Sequence, residues 1–82
     1  MFSVYPTVSS GDFNVSFRGQ KDKEVLLVVR NMLGQEYYTK GFILENDLFE
    51  QSINLSGTIA PGVYSVIACS NNCTFSKRIV IK

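Results

Sequence analysis

The residue types that could perform chemistry are few in this chain, and two cysteines are the most distinctive of them. Cys69 and Cys73 are separated by three residues, and the chain contains no histidine. A structural zinc site needs four ligands, so two more are missing, and a Cys-His or Ser-His nucleophile is excluded. A three-residue loop places the cysteines opposite each other across a hairpin, which predicts a disulfide in an oxidising compartment. Two reduced, packed thiols are the alternative.

The seven carboxylates are scattered over predicted turns and polar strand faces, which favours a solvated surface over a catalytic pair. A glycosidase needs two carboxylates that converge in a cleft, whereas Glu45 and Asp47 fit a loop at a strand end. Ser76 and Lys77 are adjacent, so in a strand their side chains point to opposite faces and form no dyad. No helix start follows Gly62, which argues against a phosphate loop there. The sequence therefore predicts no enzyme and no cofactor or metal.

Three aromatic residues, Tyr37, Tyr38 and Phe42, could form an exposed strip that binds a sugar. Neighbouring strand residues point to opposite faces, so one of the two tyrosines must face the core. Ordinary packing is therefore the favoured interpretation of these side chains.

The length of the chain and its balanced charge indicate one small domain. The chain has 82 residues, 45% of them apolar, with 8 basic and 7 acidic residues. This balance argues against a nucleic-acid surface, and no apolar run approaches the ~20 residues that span a bilayer. The start of the chain has neither the basic nor the apolar region of a signal peptide. We expect residues 1–82 to be a single domain cut from a longer protein.

Short apolar or alternating runs predict an all-β chain, because turn residues separate them about every 8–12 positions. No window keeps a helical period, and the runs predict about seven strands, a count typical of an immunoglobulin-like antiparallel β-sandwich. Val25–Val29 lacks alternation, which predicts a central strand covered on both faces. Phe2–Pro6 is expected at an edge or to end at Pro6, which has no N–H.

Turn residues predict how the strands connect. Asn31 suits the first position of a type I turn, and Gly34 supplies the positive φ of the bulge that closes it. Segment 56–62 is expected to cross between the sheets, with Gly62 permitting a sharp turn. The following strand is expected to direct one parity inward: Tyr64, Val66 and Ala68.

Four segments follow one another in an order that covers the whole chain. They are Val4–Pro6 with Ser10–Phe13, Val28–Glu36, Ile53–Ser56 with Ala60–Tyr64, and Ser76–Lys82. Together they resemble the C-terminal sorting domain of the type IX secretion system, whose patterns are v-Y-P-N-P, D-x-x-G-r, i-d-l-s … G-v-Y and t-x-K-l-v-v-x-k. Thr7 and Val8 depart from the usual Asn and Pro, and the cysteine pair is not a hallmark of that family.

The resemblance implies export by Bacteroidetes-type bacteria, with transit through the periplasm to the cell surface or the extracellular space. It implies recognition by the outer-membrane type IX translocon, and a sortase-like cysteine peptidase that removes the domain and attaches its cargo to a surface glycolipid. The residues that match the family motif, and so are expected to contact the translocon, are Gly62, Tyr64, Lys77 and Lys82. The domain itself is expected to be a monomer that performs no chemistry.

Two other functions fit a small β-sandwich, namely an adhesive or carbohydrate-binding module and a spacer of fibronectin type III kind. Position in the full-length protein separates them, because a sorting domain must end its protein. The terminal Ile79–Lys82 suits a sorting domain.

Overall fold

A computed structural model describes residues 2–19, 22–70 and 73–82, without the side chain of Cys73. Eight strands and no helix occur in these ranges. The strands are β1 (Phe2–Tyr5), β2 (Val8–Ser9), β3 (Asp12–Arg18), β4 (Glu24–Asn31), β5 (Glu36–Ile43), β6 (Leu48–Asn54), β7 (Gly62–Ser70) and β8 (Cys73–Ile81).

The strands form two sheets that pack as a sandwich. The smaller sheet has the order β1-β3-β6, and the larger has the order β2-β8-β7-β4-β5. Neighbouring strands run antiparallel except β2 and β8, which are parallel. The prediction of an all-β, immunoglobulin-like antiparallel sandwich is confirmed, except that the described ranges contain one strand more than the expected seven and this strand pairs in parallel.

The additional strand is β2, in a segment where the sequence predicts only a turn. The Val80 N–H donates to the Thr7 carbonyl at 2.7 Å, and the Lys82 N–H donates to the Ser9 carbonyl at 2.8 Å. A two-residue strand is too short to show a period, and these bonds join backbone atoms alone, so the side-chain pattern carries no trace of them.

The chain changes sheets at Pro6. Strand β1 ends at Tyr5 and forms one edge of the smaller sheet, whereas β2 joins the larger sheet. The prediction was that the first strand lies at an edge or ends at Pro6, and the structure shows both.

The core lies between the two sheets and receives side chains from β1, β3, β4, β6, β7 and β8. Its buried strand residues are Phe2, Val4, Phe13, Val15, Phe17, Val25, Leu27, Val29, Ile53, Tyr64, Val66, Ala68, Ile79 and Ile81. Those of β7 confirm the predicted inward parity.

The central position of β4 is confirmed, because β7 and β5 flank it. Val28, which has the opposite parity to the core residues of β4, is also buried, but Leu26 is 38% exposed. The expected cover on both faces therefore holds for only part of the strand.

The turn between β4 and β5 has the predicted geometry. Asn31 Oδ1 accepts hydrogen bonds from the N–H groups of Leu33 and Gln35, each at 2.9 Å. Gly34 has a φ of 86°, and its N–H donates to the Asn31 carbonyl at 3.1 Å. Asn31 and Gly34 thus have the turn positions inferred from the sequence.

Gly11 brings two connections into close contact. Its φ is 126°, and a Cβ atom there would lie 2.7 Å from the Ser56 nitrogen. The Leu55 N–H also donates to the Gly11 carbonyl at 2.8 Å. Only glycine fits this point, where the turn before β3 meets the start of the connection to β7.

Candidate functional site

The hairpin of β7 and β8 carries most of the residues expected to contact the translocon. In its register Gly62 pairs with Ile81, and Val66 pairs with Lys77. Lys82 follows directly after β8. The start of β7 and the end of β8 therefore meet at one end of the sandwich, beside β2.

Tyr64 is buried, with only 4% of its surface exposed. Its hydroxyl donates a hydrogen bond of 2.6 Å to the Ala60 carbonyl, and its ring meets Tyr37 edge to face with centroids 5.5 Å apart. Burial raises the pKa of Tyr64, and Tyr37 adds to that rise. A tyrosine near the start of this strand that bonds back to the preceding connection is the tyrosine corner of immunoglobulin-like domains.

The tyrosine corner gives the family's G-v-Y signature a structural meaning that sequence reasoning missed. A tyrosine two residues into the strand after the connection between sheets was the available signal. The buried ring presents little surface to a partner, so any part Tyr64 has in recognition must act through the backbone that it holds.

Gly62 is half-buried and is the first residue of β7. The chain bends at Pro61, directly before it, but Gly62 itself has no positive φ, since the described glycines with positive φ are Gly11, Gly34 and Gly57. A Cβ atom on Gly62 would lie 3.6 Å from Cε1 of Tyr64, an ordinary van der Waals distance. Neither backbone strain nor lack of space requires glycine here.

Lys77 and Lys82 are both exposed, but they do not form one patch. Lys77 has the parity of the buried Ile79, whereas Lys82 has the opposite parity. Five residues of extended chain separate their Cα atoms by about 16 Å. The four residues expected from the resemblance thus divide into an end surface with Gly62 and Lys82, a buried support in Tyr64, and Lys77 in the middle of β8.

Three valines adjoin the end surface, and sequence reasoning did not single them out. Val80 pairs with Val8 on one side and with Val63 on the other. The three are 40–44% exposed and form a short apolar row across β2, β8 and β7. The predicted parity of β7 already placed Val63 outward, but only the register shows that Val8, Val80 and Val63 lie side by side.

Charge is distributed unevenly along the chain. All seven acidic residues lie between positions 12 and 50, and residues 55–82 contain only basic ones: Lys77, Arg78 and Lys82. The single ion pair of the described residues joins Arg30 to Glu36 at 3.1 Å, on β4 and β5. The β8 side of the sandwich therefore carries net positive charge without a described carboxylate partner.

The cysteines lie at the other end of the hairpin. The register pairs Cys69 with Thr74 and Ser70 with Cys73, so the loop has two residues rather than three and the cysteines are one position out of alignment. The Cys73 side chain lies outside the described residues, and the disulfide therefore stays a prediction. Intact mass of the air-oxidised protein under non-reducing conditions decides it.

The aromatic residues confirm ordinary packing. Tyr38 and Phe42 pack against the core, and the more exposed Tyr37 contacts Tyr64. In the described ranges no group of three His, Cys, Asp or Glu residues could hold a metal ion. The same ranges contain no helix that is long and apolar enough to span a membrane.

Comparison with protein families decides among the functions that suit this sandwich. The model of the secretion system C-terminal sorting domain matches residues 3–82. The chain belongs to this family. Comparison with curated proteins finds no significant match. As a sorting domain the chain is the C-terminal signal for type IX secretion, which directs export across the outer membrane toward the cell surface or the extracellular space.

Proposed function

We propose that this sorting domain is the C-terminal unit of a longer exported protein and that the type IX translocon recognises it as a folded sandwich during periplasmic transit. A sortase-like peptidase then removes the domain and attaches the cargo to the cell surface. The domain is a monomer that performs no chemistry. The family match over residues 3–82 is the observation that carries this proposal.

Recognition involves the end surface of Gly62 and Lys82, together with Lys77. Both lysines are exposed, and Gly62 has room for a methyl group although the family motif has glycine there. The fold does not require glycine at position 62, but a partner can, because a residue without a side chain lets the partner's backbone approach closely. Tyr64 supports this surface by holding the start of β7 to Ala60.

Fusion to a reporter tests the proposal. The 82 residues are placed at the C-terminus of a periplasm-directed reporter in a type IX-competent host, and surface reporter is measured by protease accessibility. We expect surface delivery for the intact fusion and periplasmic retention when residues 63–82 are deleted. A reporter with the intact domain that never leaves the periplasm would contradict the proposed function.

Single substitutions separate recognition from folding, because the deletion also removes five of the eight core residues that the strands of the larger sheet contribute. Gly62→Ala, Lys77→Ala and Lys82→Ala are expected to leave the melting temperature nearly unchanged, since each position has space or is exposed. Each is expected to reduce surface delivery. Normal export of all three folded variants would refute recognition through this surface.

A further inference from the structure

The hydrogen-bonding edge of β8 is covered along only part of its length. Strand β2 pairs with Val80 and Ile81 alone, although β8 begins at Cys73. The N–H groups of Val80 and Lys82 point away from β7, toward β2. Because backbone direction alternates along a strand, the N–H and C=O groups of Thr74, Ser76 and Arg78 point the same way, and no strand of the described residues pairs with them.

This open edge is held in a strand conformation from two sides. Strand β7 pairs with the whole of β8, from Ser70 opposite Cys73 to Gly62 opposite Ile81. Phe75 packs across the sandwich, with its ring centroid 6.3 Å from that of Phe2 and 5.5 Å from that of Phe17. A partner strand would therefore meet a preorganised edge, which lowers the entropy cost of pairing.

Charge along the edge selects the kind of strand that can pair with it. Lys77 and Arg78 are exposed, lie next to each other on opposite faces of β8, and have no salt-bridge partner among the described residues. A second copy of β8 would bring like charges together across the new ladder, which disfavours self-pairing. A strand with an acidic residue on each face would place opposite charges there.

We propose that residues 74–78 of β8 add an extended, acidic segment of a partner protein to the larger sheet by β-strand addition. Backbone hydrogen bonds to Thr74, Ser76 and Arg78 supply the pairing, and Lys77 and Arg78 select acidic side chains. The inference rests on the proposed function, because the segment belongs to a component of the type IX machinery.

A peptide titration of the folded 82-residue chain tests the pairing directly. The probe is a ten-residue threonine peptide with glutamate at two adjacent central positions, and its counterpart has lysine there. We expect amide exchange at Ser76 and Arg78 to slow with the glutamate peptide only, while the amides of β5 stay unchanged. Slowing by both peptides alike, or by neither, would overturn the inference.

Two variants separate strand pairing from simple charge attraction. Ser76→Pro removes one outward N–H at an edge position where proline is compatible with a strand, and Ser76→Ala is its control. The double substitution Lys77→Glu and Arg78→Glu is expected to weaken binding of the glutamate peptide about tenfold, and the lysine peptide should then bind more tightly than the glutamate peptide. Circular dichroism verifies the fold of each variant.

The same variants in the reporter fusion distinguish the two proposals. Strand addition is supported if the wild-type fusion and Ser76→Ala are exported while Ser76→Pro and the charge-reversal variant, both folded, are not exported. Normal export of both Ser76→Pro and the charge-reversal variant overturns strand addition and leaves the sorting function intact. Failure of the wild-type fusion to be exported contradicts the sorting function. A further outcome is binding to phosphatidylglycerol vesicles. If the charge reversal abolishes this binding and Ser76→Pro leaves it unchanged, the site binds anionic lipid and strand addition is overturned.

Discussion

The strands β5 and β8 both present unpaired backbone on the larger sheet, but their charges are satisfied differently. On β5, Glu36 accepts hydrogen bonds from Arg30 at 3.1 Å and from Thr39 at 3.0 Å, and Lys40 lies 5.3 Å from the centre of the Phe42 ring. The charged side chains of β8 have no described salt bridge. The charged side chains of β5 thus interact with neighbouring side chains of the same molecule, whereas those of β8 are available to a partner.

An open edge is therefore not by itself an interaction site. Natural proteins protect edges with charges, and a lysine that points toward the core side of an edge strand prevents unwanted pairing. Lys40 and Lys77 both have the parity of core residues in their strands, yet both are exposed. Of these two edges, β8 is the one that combines this protection with neighbouring positive charges, Lys77 and Arg78, that have no ion-pair partner in the described residues.

The largest expected effect comes from breaking the core attachment of β8. Ile79 is 1% exposed, so Ile79→Ala leaves a cavity and is expected to cost about 2–5 kcal/mol of unfolding free energy. Val80→Ala on the same strand, where the side chain is 40% exposed, is the control and should cost less than about 1 kcal/mol. Urea denaturation measures both, and equal losses would contradict the assigned parity of β8.

A second substitution acts on Gly11, in the turn between β2 and β3 that lies against Ser56. Gly11→Ala places a Cβ atom 2.7 Å from the Ser56 nitrogen at a φ of 126°, and is expected to cost about 1–3 kcal/mol. Gly62→Ala has ordinary contact distances and should remain close to wild type. Thermal unfolding compares the two glycines, and a stable Gly11→Ala variant would be inconsistent with the close approach.

The start of β7, which pairs with the end of β8, depends on Tyr64. Tyr64→Phe removes the hydrogen bond to the Ala60 carbonyl and is expected to cost about 0.5–1.5 kcal/mol in chemical denaturation. Tyr37→Phe retains the ring contact with Tyr64 and serves as the control. Full stability of Tyr64→Phe would show that ring burial alone holds this corner.

Alkaline pH should weaken the same corner. Burial raises the pKa of Tyr64 in the folded state, so its contribution is fully present below the unfolded-state pKa of about 10. The contribution is lost as pH rises through the higher folded-state pKa. Stability measured across this alkaline range should fall more steeply for the wild type than for Tyr64→Phe, and parallel curves would contradict the shift.

The smallest expected effect concerns β5, where charges are satisfied internally. Two hydrogen bonds lower the pKa of Glu36 below its ordinary value, and the bond from Thr39 has a larger effect than the bond from Arg30. Thr39→Val should therefore raise this pKa, and Arg30→Ala should raise it as well, with little change in stability at an exposed site. Carboxyl chemical shifts followed by NMR titration measure it, and an unchanged Glu36 pKa in both variants would refute the internal pairing of β5.

Seven of the eight described strands, and the family, could be read from the sequence alone. Short apolar or alternating runs identified these strands, and Asn31 with Gly34 specified the turn between β4 and β5, because side-chain direction and positive φ are local properties. The ordered motifs of residues 3–82 were sufficient for the family, since a motif records residue types without requiring their positions in space.

Which of the motif residues are buried and which are exposed follows from the tertiary structure. The motif alone gave Gly62, Tyr64 and Lys77 equal standing, whereas the fold buries Tyr64, with its hydroxyl bonded to the Ala60 carbonyl, and leaves Lys77 exposed. Likewise β2 exists because its backbone reaches Val80 and Lys82, about seventy positions away in the chain. Register and pairing between distant segments follow from the packing of the whole core, which no local pattern contains.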